Sequence, residues 1–192
     1  MMTVTVAADI LRAALLFTKT DDTLGSTLRE EYRHVILDRT IVATDGHTMF
    51  IANPGEVLIS GTPRAVLLHH TFVEKLIARA DEPSVTFMVG KEVMDEMGAL
   101  YPLAEGEIVD WRKVYPRTTN GGTSQYNLLY LHRAIRANVD LGAPPGLDAG
   151  NIHVHHNGTA GPAVLELHKS RAHVLCQYRI DNSGDTFSPF NV

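Results

Sequence analysis

The chain has 192 residues, 44% of them hydrophobic and 20% charged, with a formal net charge of −5. That length and composition can build the core of one large or two small domains, and the acidic balance excludes a protein that coats nucleic acid through its overall positive charge. No apolar run is long enough to span a membrane and the amino terminus lacks a secretory signal, so we expect a cytoplasmic protein.

The first predicted unit runs from residue 3 to residue 52. Residues 3–6 alternate as a strand, and an apolar stripe within residues 10–16 predicts a helix with Asp9 as its cap. Further strands are predicted at residues 30–37, 40–44 and 47–52, and Asn53-Pro54-Gly55 then ends the pattern.

Two further units repeat this order of strand, helix and strands. The second is predicted to contain a strand at 64–68, a helix at 72–80 capped by Thr71, a strand at 84–89 and less regular strands within 92–108. The third is predicted to begin near Tyr126, with a helix at 128–139 and strands at 152–156, 163–168 and 173–180. We expect Cys176, the single cysteine, to be a buried strand residue, and the polar tail at 181–192 to be loose.

Two short segments carry more information than their strand propensity. Residues 41–50 read Ile-Val-Ala-Thr-Asp-Gly-His-Thr-Met-Phe, in which Asp45-Gly46 can supply the positive-φ residues of a hairpin and Thr44 and His47 flank them. Alone, this pattern is typical of a plain hairpin. Residues 108–116, Ile-Val-Asp-Trp-Arg-Lys-Val-Tyr-Pro, follow at a distance that fits one small domain.

Together these segments resemble the bacterial sliding clamp, the β subunit of DNA polymerase III. That family carries Val-Ala-Thr-Asp-Gly-His-Arg-Leu in its middle domain and Phe-Pro-Asp-Tyr-Arg-Arg-Val-Leu-Pro near the end of that domain. In this chain several family residues are replaced, by Thr48 and Met49 in the turn and by Val109, Trp111, Lys113 and Tyr115 in the linker.

The resemblance implies an α+β fold of DNA-clamp-like repeated β-α-β-β-β half-domains, amounting to about one and a half clamp domains. Residues 1–118 would form a clamp-like domain of two halves that resembles the family's middle domain. Residues 119–192 would form an additional half-domain with an irregular tail. Such a shortened, diverged form would suit a phage or mobile element.

The resemblance also implies a hydrophobic pocket for short peptides from DNA polymerases and clamp-loader-type proteins. Carried over residue by residue, the pocket would consist of Thr44, Gly46, His47, Met49, Val109, Lys113 and Val114. An apolar groove with a few polar groups at its rim can fix the direction of a bound peptide. Because the turn and linker have diverged, we expect a diverged peptide motif.

Cations beside the apolar stripes of the predicted helices are the candidate contacts to double-stranded DNA. They are Arg12, Lys19, Lys75, Arg79, Arg133 and Arg136. In clamps such residues meet phosphates without reading bases, whereas ordinary solvated helix faces would carry the same pattern. Glu74 and Asp140 dilute the charge, so we expect weak, non-specific and salt-sensitive binding.

We expect a binding protein with no enzymatic activity and no cofactor: a sliding-clamp-like processivity factor or docking platform. Three half-units per chain would require four chains to close a ring, which predicts a homo-oligomer. One alternative is a non-encircling interaction module or decoy of the host clamp.

Another alternative is a metal-dependent hydrolase that uses His153, His155, His156, His168 and His173. Neither a cysteine pair nor a convergent carboxylate cluster accompanies these histidines in the sequence. We therefore predict histidines on strand surfaces and no metal site.

Overall fold

The computed structural model describes residues 1–18, 30–79, 82–121, 126–144, 151–158 and 161–176. The predicted cation Lys19 and the predicted tail at 181–192 lie outside these residues.

The described residues form three α-helices: α1 Ala8–Leu15, α2 His70–Ala78 and α3 Leu128–Asp140. Helix α1 packs against both α2 and α3, so it lies between them. Asn127 is the N-cap of α3, and its side-chain oxygen accepts the backbone N–H of Leu129 at 2.9 Å. No helix in the described part of the chain is long and apolar enough to cross a membrane.

The same residues form twelve strands, numbered in chain order. They are β1 Met2–Ala7, β2 Val35–Leu37, β3 Ile41–Thr44, β4 Thr48–Ala52, β5 Val57–Gly61, β6 Val66–Leu68, β7 Ser84–Val89, β8 Glu92–Asp95, β9 Leu100–Pro102, β10 His153–His155, β11 Ala163–Glu166 and β12 Ala172–Cys176.

These strands build two antiparallel sheets within the described residues. The five-stranded sheet has the order β5-β1-β7-β8-β9, and the seven-stranded sheet has the order β10-β11-β12-β4-β3-β2-β6. Strand β12 pairs with β4, which places Leu175 opposite Met49. The seven-stranded sheet therefore contains strands from both sides of the predicted domain boundary between residues 118 and 119.

The seven-stranded sheet is buried on both faces at β2, β3, β4 and β6, whereas its edge strand β10 is exposed at His153 and His155. One face joins the main core, where Phe50 stacks on Phe17 with 5.6 Å between the ring centroids. The other face carries a second apolar cluster made of Ile36, Val42, Met49, Ile51, Leu67, Val164 and Leu175. Residues of the segment 104–115 cover this cluster. We call residues 108–116 the linker and residues 44–48 the turn.

Arg171 joins distant parts of the fold. Its guanidinium binds Asp9 at the start of α1 (2.6 and 3.1 Å) and Glu56 (3.0 and 2.7 Å), and it donates to the backbone oxygen of Leu141 (3.0 Å) after α3. These hydrogen bonds to Glu56 and Asp9 raise the pKa of Arg171. The β11–β12 connection is thereby attached to the helices of the first and third units.

The two predicted helix caps are wrong. Asp9 lies in the first turn of α1, whose N-cap is Ala7, a residue without a polar side chain. The Asp9 carboxylate is bound to Arg171. Thr71 lies inside α2, and the N-cap is His69, whose Nδ1 accepts the Thr71 backbone N–H at 3.3 Å.

Two strand predictions also need correction. Glu30–Arg33 forms a 3₁₀ turn, so the strand predicted from residue 30 begins only at Val35. The sequence pattern did not reveal β5, whose residues are mostly exposed and therefore lack a clear alternation. Strand β5 forms because its backbone pairs with β1 across five residue pairs. By contrast, the predictions of a strand at 84–89 and of a buried Cys176 are confirmed.

Candidate functional site

The turn between β3 and β4 is closed by its own side chains. Asp45 Oδ1 accepts the backbone N–H of His47 (2.9 Å), the backbone N–H of Thr48 (2.7 Å) and the Thr48 hydroxyl (3.0 Å). Thr44 Oγ1 donates to the backbone oxygen of Thr48 (2.6 Å) and accepts from Gly46 N (3.0 Å). Asp45 therefore organises the backbone of the turn.

Gly46 is required in this turn for two reasons. Its φ is +87°, a region that residues with side chains rarely adopt. A Cβ atom at this position would also lie 2.8 Å from Cε2 of Tyr32. Asp45 has no positive φ, so the prediction that both residues supply one is right only for Gly46.

Aromatic and ionic contacts hold the linker on the sheet. The Arg112 guanidinium lies 4.5 Å from the Trp111 ring centroid and forms a salt bridge with Asp38, between β2 and β3. The Tyr115 hydroxyl is hydrogen-bonded to Nδ1 of His173 in β12 at 2.6 Å. The linker is thus anchored to the sheet at two points: Asp38, which follows β2, and His173 in β12.

A cavity of about 440 Å³ lies between the turn and the linker; we call it the groove. Its floor includes Met49 and Leu175, which are 7% and 3% exposed. Val114 at the rim is 46% exposed. All seven residues predicted for a pocket line this one groove, namely Thr44, Gly46, His47, Met49, Val109, Lys113 and Val114.

The sequence pattern did not identify the part of the groove that comes from elsewhere in the chain. Tyr32, Asn157, Pro162 and Leu175 also line it. Asn157, Pro162 and Leu175 reach the groove because β12 pairs with β4. No local sequence pattern marks these residues. Tyr115 also lines the groove, and its position next to Val114 in the linker is a signal that could have predicted it.

Helix α3 supports the turn through a salt bridge and a ring contact. Arg133 Nη1 forms a salt bridge with Asp45 Oδ2, and the two side chains are only 26% and 7% exposed. The ring of His47 stacks on Tyr130 with 6.1 Å between centroids. Arg133, predicted as a DNA contact, is therefore engaged by the turn.

The remaining predicted DNA contacts are of two kinds. Arg12, Lys75 and Arg136 are exposed on α1, α2 and α3, and Lys75 Nζ lies 5.1 Å from the Tyr101 ring centroid. Arg79, which directly follows α2, forms a 3.0 Å salt bridge with Asp95.

Acidic residues lie among these cations. Burial raises the pKa of Asp140, while the charges of Arg12 and Arg136 lower it and that of Asp9 raises it. The helices therefore present a surface of mixed charge. Below, "helix surface" means the exposed parts of the three helices that carry Arg12, Lys75 and Arg136.

A polar network borders the groove beside the linker. Burial lowers the pKa of His173, and it raises the pKa of Tyr115. Hydrogen bonds from Ser170 and His155 lower the pKa of Glu166. Burial raises the pKa of Cys176 in β12 to about 12, so this thiol is unreactive near neutral pH.

The carboxy-terminal histidines are not gathered into a metal site within the described residues. In that part of the chain, the group of three potential ligands close enough to share an ion is His34, His69 and His70. His69 and His70 lie at the start of α2, and no local sequence pattern connects them with His34.

No protein-family model and no curated relative matches the sequence. Solved structures do match. The chain is similar to DNA polymerase III subunit beta from Pseudomonas aeruginosa, with a TM-score of 0.63 and 12% identity over 92% of this chain and 66% of that chain. It is similar to the Helicobacter pylori beta clamp bound to a DNA ligase peptide, with a TM-score of 0.60 and 11% identity over 93% and 65% of the two chains.

A putative DNA polymerase III beta subunit from Eubacterium rectale gives a TM-score of 0.60 and 10% identity over 93% of this chain and 65% of that chain. At such identities the similarity concerns the fold. The predicted clamp-like α+β fold is confirmed, and the chain spans about two thirds of the length of the clamp chains that it matches.

Proposed function

We propose that this protein is a clamp-type docking platform, related in function to sliding-clamp processivity factors, whose groove binds short peptides of replication proteins. One observation carries the proposal. The seven residues that the clamp resemblance assigns to a peptide pocket come from two segments about 60 residues apart in sequence, and they line a single groove.

The chemistry of the groove suits an extended, largely apolar peptide. Its floor is formed by the Met49 and Leu175 side chains, and methionine adapts to ligands of different shape. Lys113, 81% exposed, stands at the rim in a 3.6 Å salt bridge with the exposed Asp110, and an acidic group of the peptide can compete for it. The volume of about 440 Å³ falls within the usual range of ligand pockets. The similar Helicobacter pylori clamp binds a DNA ligase peptide.

The helix surface is the proposed contact to double-stranded DNA. Arg12, Lys75 and Arg136 offer three exposed cations, and acidic neighbours such as Asp140 dilute their charge. Binding of this kind is weak, independent of base sequence and reduced by salt. Retention on DNA without tight contacts requires a closed ring, which we propose to be a cytoplasmic homo-oligomer of this chain.

A second candidate is a module that binds the same peptides without encircling DNA, and so competes with a host clamp. One observation favours it. Arg79 and Arg133, two of the predicted DNA contacts, are neutralised by Asp95 and Asp45.

Peptide binding is tested by fluorescence anisotropy with a labelled clamp-binding peptide of a bacterial DNA ligase. Val114→Asp places a charge at the exposed apolar rim and should weaken binding about tenfold. Met97→Asp is the matched control, because Met97 is 84% exposed and does not line the groove. Equal affinity of the two variants would contradict the proposal. So would failure of the wild-type protein to bind both this peptide and a library of its sequence variants, because a diverged peptide motif is expected.

The two candidates are separated by light scattering at several protein concentrations and by retention on primed circular DNA. A closed oligomer that is retained on circles and lost after linearisation supports the processivity factor. A monomer at every concentration that ignores DNA and still binds the peptide supports the non-encircling module.

A further inference from the structure

Strand pairing brings His34 and His69 to the same point of the molecule. Strands β2 and β6 are antiparallel, with Val35 opposite Leu68. The residue before β2 is therefore opposite the residue after β6, and these residues are His34 and His69. His70 follows as the first residue of α2. Three imidazoles thus meet at the start of α2, and none of them lines the groove.

The separations of these rings suit one shared ion. The ring centroids are 4.8 Å apart for His34 and His69, 4.6 Å for His69 and His70, and 6.0 Å for His34 and His70. One candidate ligand nitrogen from each ring lies within 4.8 Å of the others. Tetrahedral zinc, with Zn–N bonds of about 2.0–2.1 Å, would hold such nitrogens about 3.4 Å apart. Side-chain rotations can close this difference.

Burial gives an independent reason to expect a ligand. His34 is 1% exposed, and His69 and His70 are half-buried. Nδ1 of His70 is buried and forms no hydrogen bond with the described residues. Buried polar atoms in folded proteins nearly always have a partner, and a metal ion would supply one here.

We propose that His34, His69 and His70 bind one divalent transition-metal ion of the zinc class, which ties the entry of β2 to the start of α2. The group contains three imidazoles and no carboxylate or thiolate. Imidazole nitrogen suits zinc, copper and nickel, whereas magnesium and calcium need oxygen ligands. Three protein ligands leave a fourth tetrahedral position for water.

Thr71 provides the outer contact that a metal-bound histidine needs. Its Oγ1 lies 2.8 Å from Nδ1 of His69. In the structure this Nδ1 accepts the Thr71 backbone N–H. With the metal on Nε2, Nδ1 would instead carry the hydrogen and donate it to the Thr71 hydroxyl, which sets the tautomer and orients the ring. Thr71→Val should then weaken metal binding about tenfold while leaving the ligands in place.

The test is equilibrium dialysis of the untagged full chain against Zn²⁺, followed by elemental analysis, with His70→Gln and His34→Gln as variants. We expect one tightly held zinc per chain and a loss of affinity of at least about 100-fold in each variant, since removing a ligand exceeds the effect of removing an outer partner. His132→Gln is the matched control, because His132 is an exposed histidine of α3 outside the group. If His34→Gln fails to fold, His70→Gln decides.

Co²⁺ substitution gives a second readout. Visible absorption typical of tetrahedral cobalt should appear in the wild type and in His132→Gln, and it should be lost in His70→Gln. The absence of retained zinc in the wild type would overturn the proposal. So would equal zinc retention by His70→Gln and His132→Gln, which would place the ion on other histidines.

Discussion

The groove and the helix surface hold their predicted functional side chains in opposite ways. Met49 in the groove and Asp45 in the turn beside it are each 7% exposed, and each is held by residues from other parts of the chain. On the helix surface, Arg12 and Arg136 are exposed, and the proposed contact to DNA uses their charge. The proposed peptide binding depends on the shape of the groove, whereas the proposed DNA binding depends on the net charge of the helix surface. Mutations should therefore separate the two regions.

The largest effect is expected from Arg171→Met, because Arg171 supports both regions. The variant loses hydrogen bonds to Asp9, Glu56 and the Leu141 backbone and leaves two carboxylates without their cation. Since Arg171 is 21% exposed, we expect about 2–3 kcal/mol less stability. For a chain of this size the melting temperature should fall by about 5–10 °C.

Calorimetry checks this value, with Arg12→Met as the matched control. Arg12 is exposed on α1, so its replacement should change stability by no more than about 0.5 kcal/mol. Equal melting temperatures for the two variants would show that the Arg171 contacts are not structural.

Met49→Asp should break the groove and spare the helix surface. A carboxylate on the apolar floor must be dehydrated by a bound peptide, which should reduce affinity about 30-fold, or about 2 kcal/mol. The side chain borders the groove and can reach its water, so we expect the circular dichroism spectrum of the folded protein to persist. Unchanged peptide affinity in anisotropy would show that this groove is not the peptide site.

Two arginines of α3 sharpen the comparison, because they differ in what they contact. Arg133→Met leaves the buried Asp45 carboxylate without its cation and should lower stability by about 1–2 kcal/mol and peptide affinity several-fold. Arg136→Met removes an exposed charge. It should leave peptide binding unchanged and reduce the salt dependence of DNA binding by about one ion.

Both variants are measured by peptide anisotropy and by DNA titration at several salt concentrations. Identical behaviour of Arg133→Met and Arg136→Met in the two assays would contradict the division between groove and helix surface.

The smallest expected effect is a pH dependence of stability that arises from His173, next to the linker. Burial places the pKa of His173 below its ordinary value of 6.5, so the unfolded chain binds a proton more readily. Stability should therefore be constant above about pH 6.5 and fall as the pH drops toward the folded pKa. Glu166 faces His173 and opposes this shift, and His155 reinforces it.

Thermal melts at about pH 7.5 and pH 5.5 check this dependence, with His173→Gln as the comparison. Between these two pH values, the melting temperature of the variant should fall by less than that of the wild type. The lowered pKa of Glu166 acts in the same direction, but only at more acidic pH, below its ordinary value of 4.5. An equal decrease in both proteins would assign the dependence to other groups.

Local chemistry in the sequence was sufficient to predict several parts of this protein. Alternating residues marked the strand at 84–89 and an apolar stripe marked α3, because burial of one face leaves a periodic pattern. The turn required glycine at position 46, and the resemblance of turn and linker to a known family named seven residues that meet in the groove. Whether these residues bind a peptide remains a prediction.

Tertiary structure decided the contacts between distant segments. The pairing of β12 with β4 supplied Leu175 to the groove, and the salt bridge to Asp45 occupied Arg133. Arg171 contacts Asp9 across 162 residues of sequence, and strand register brought His34 to His69. These choices depend on which strand edges hydrogen-bond to each other and on which charges are buried together. Neither property leaves a periodic signal in the sequence around the residues concerned.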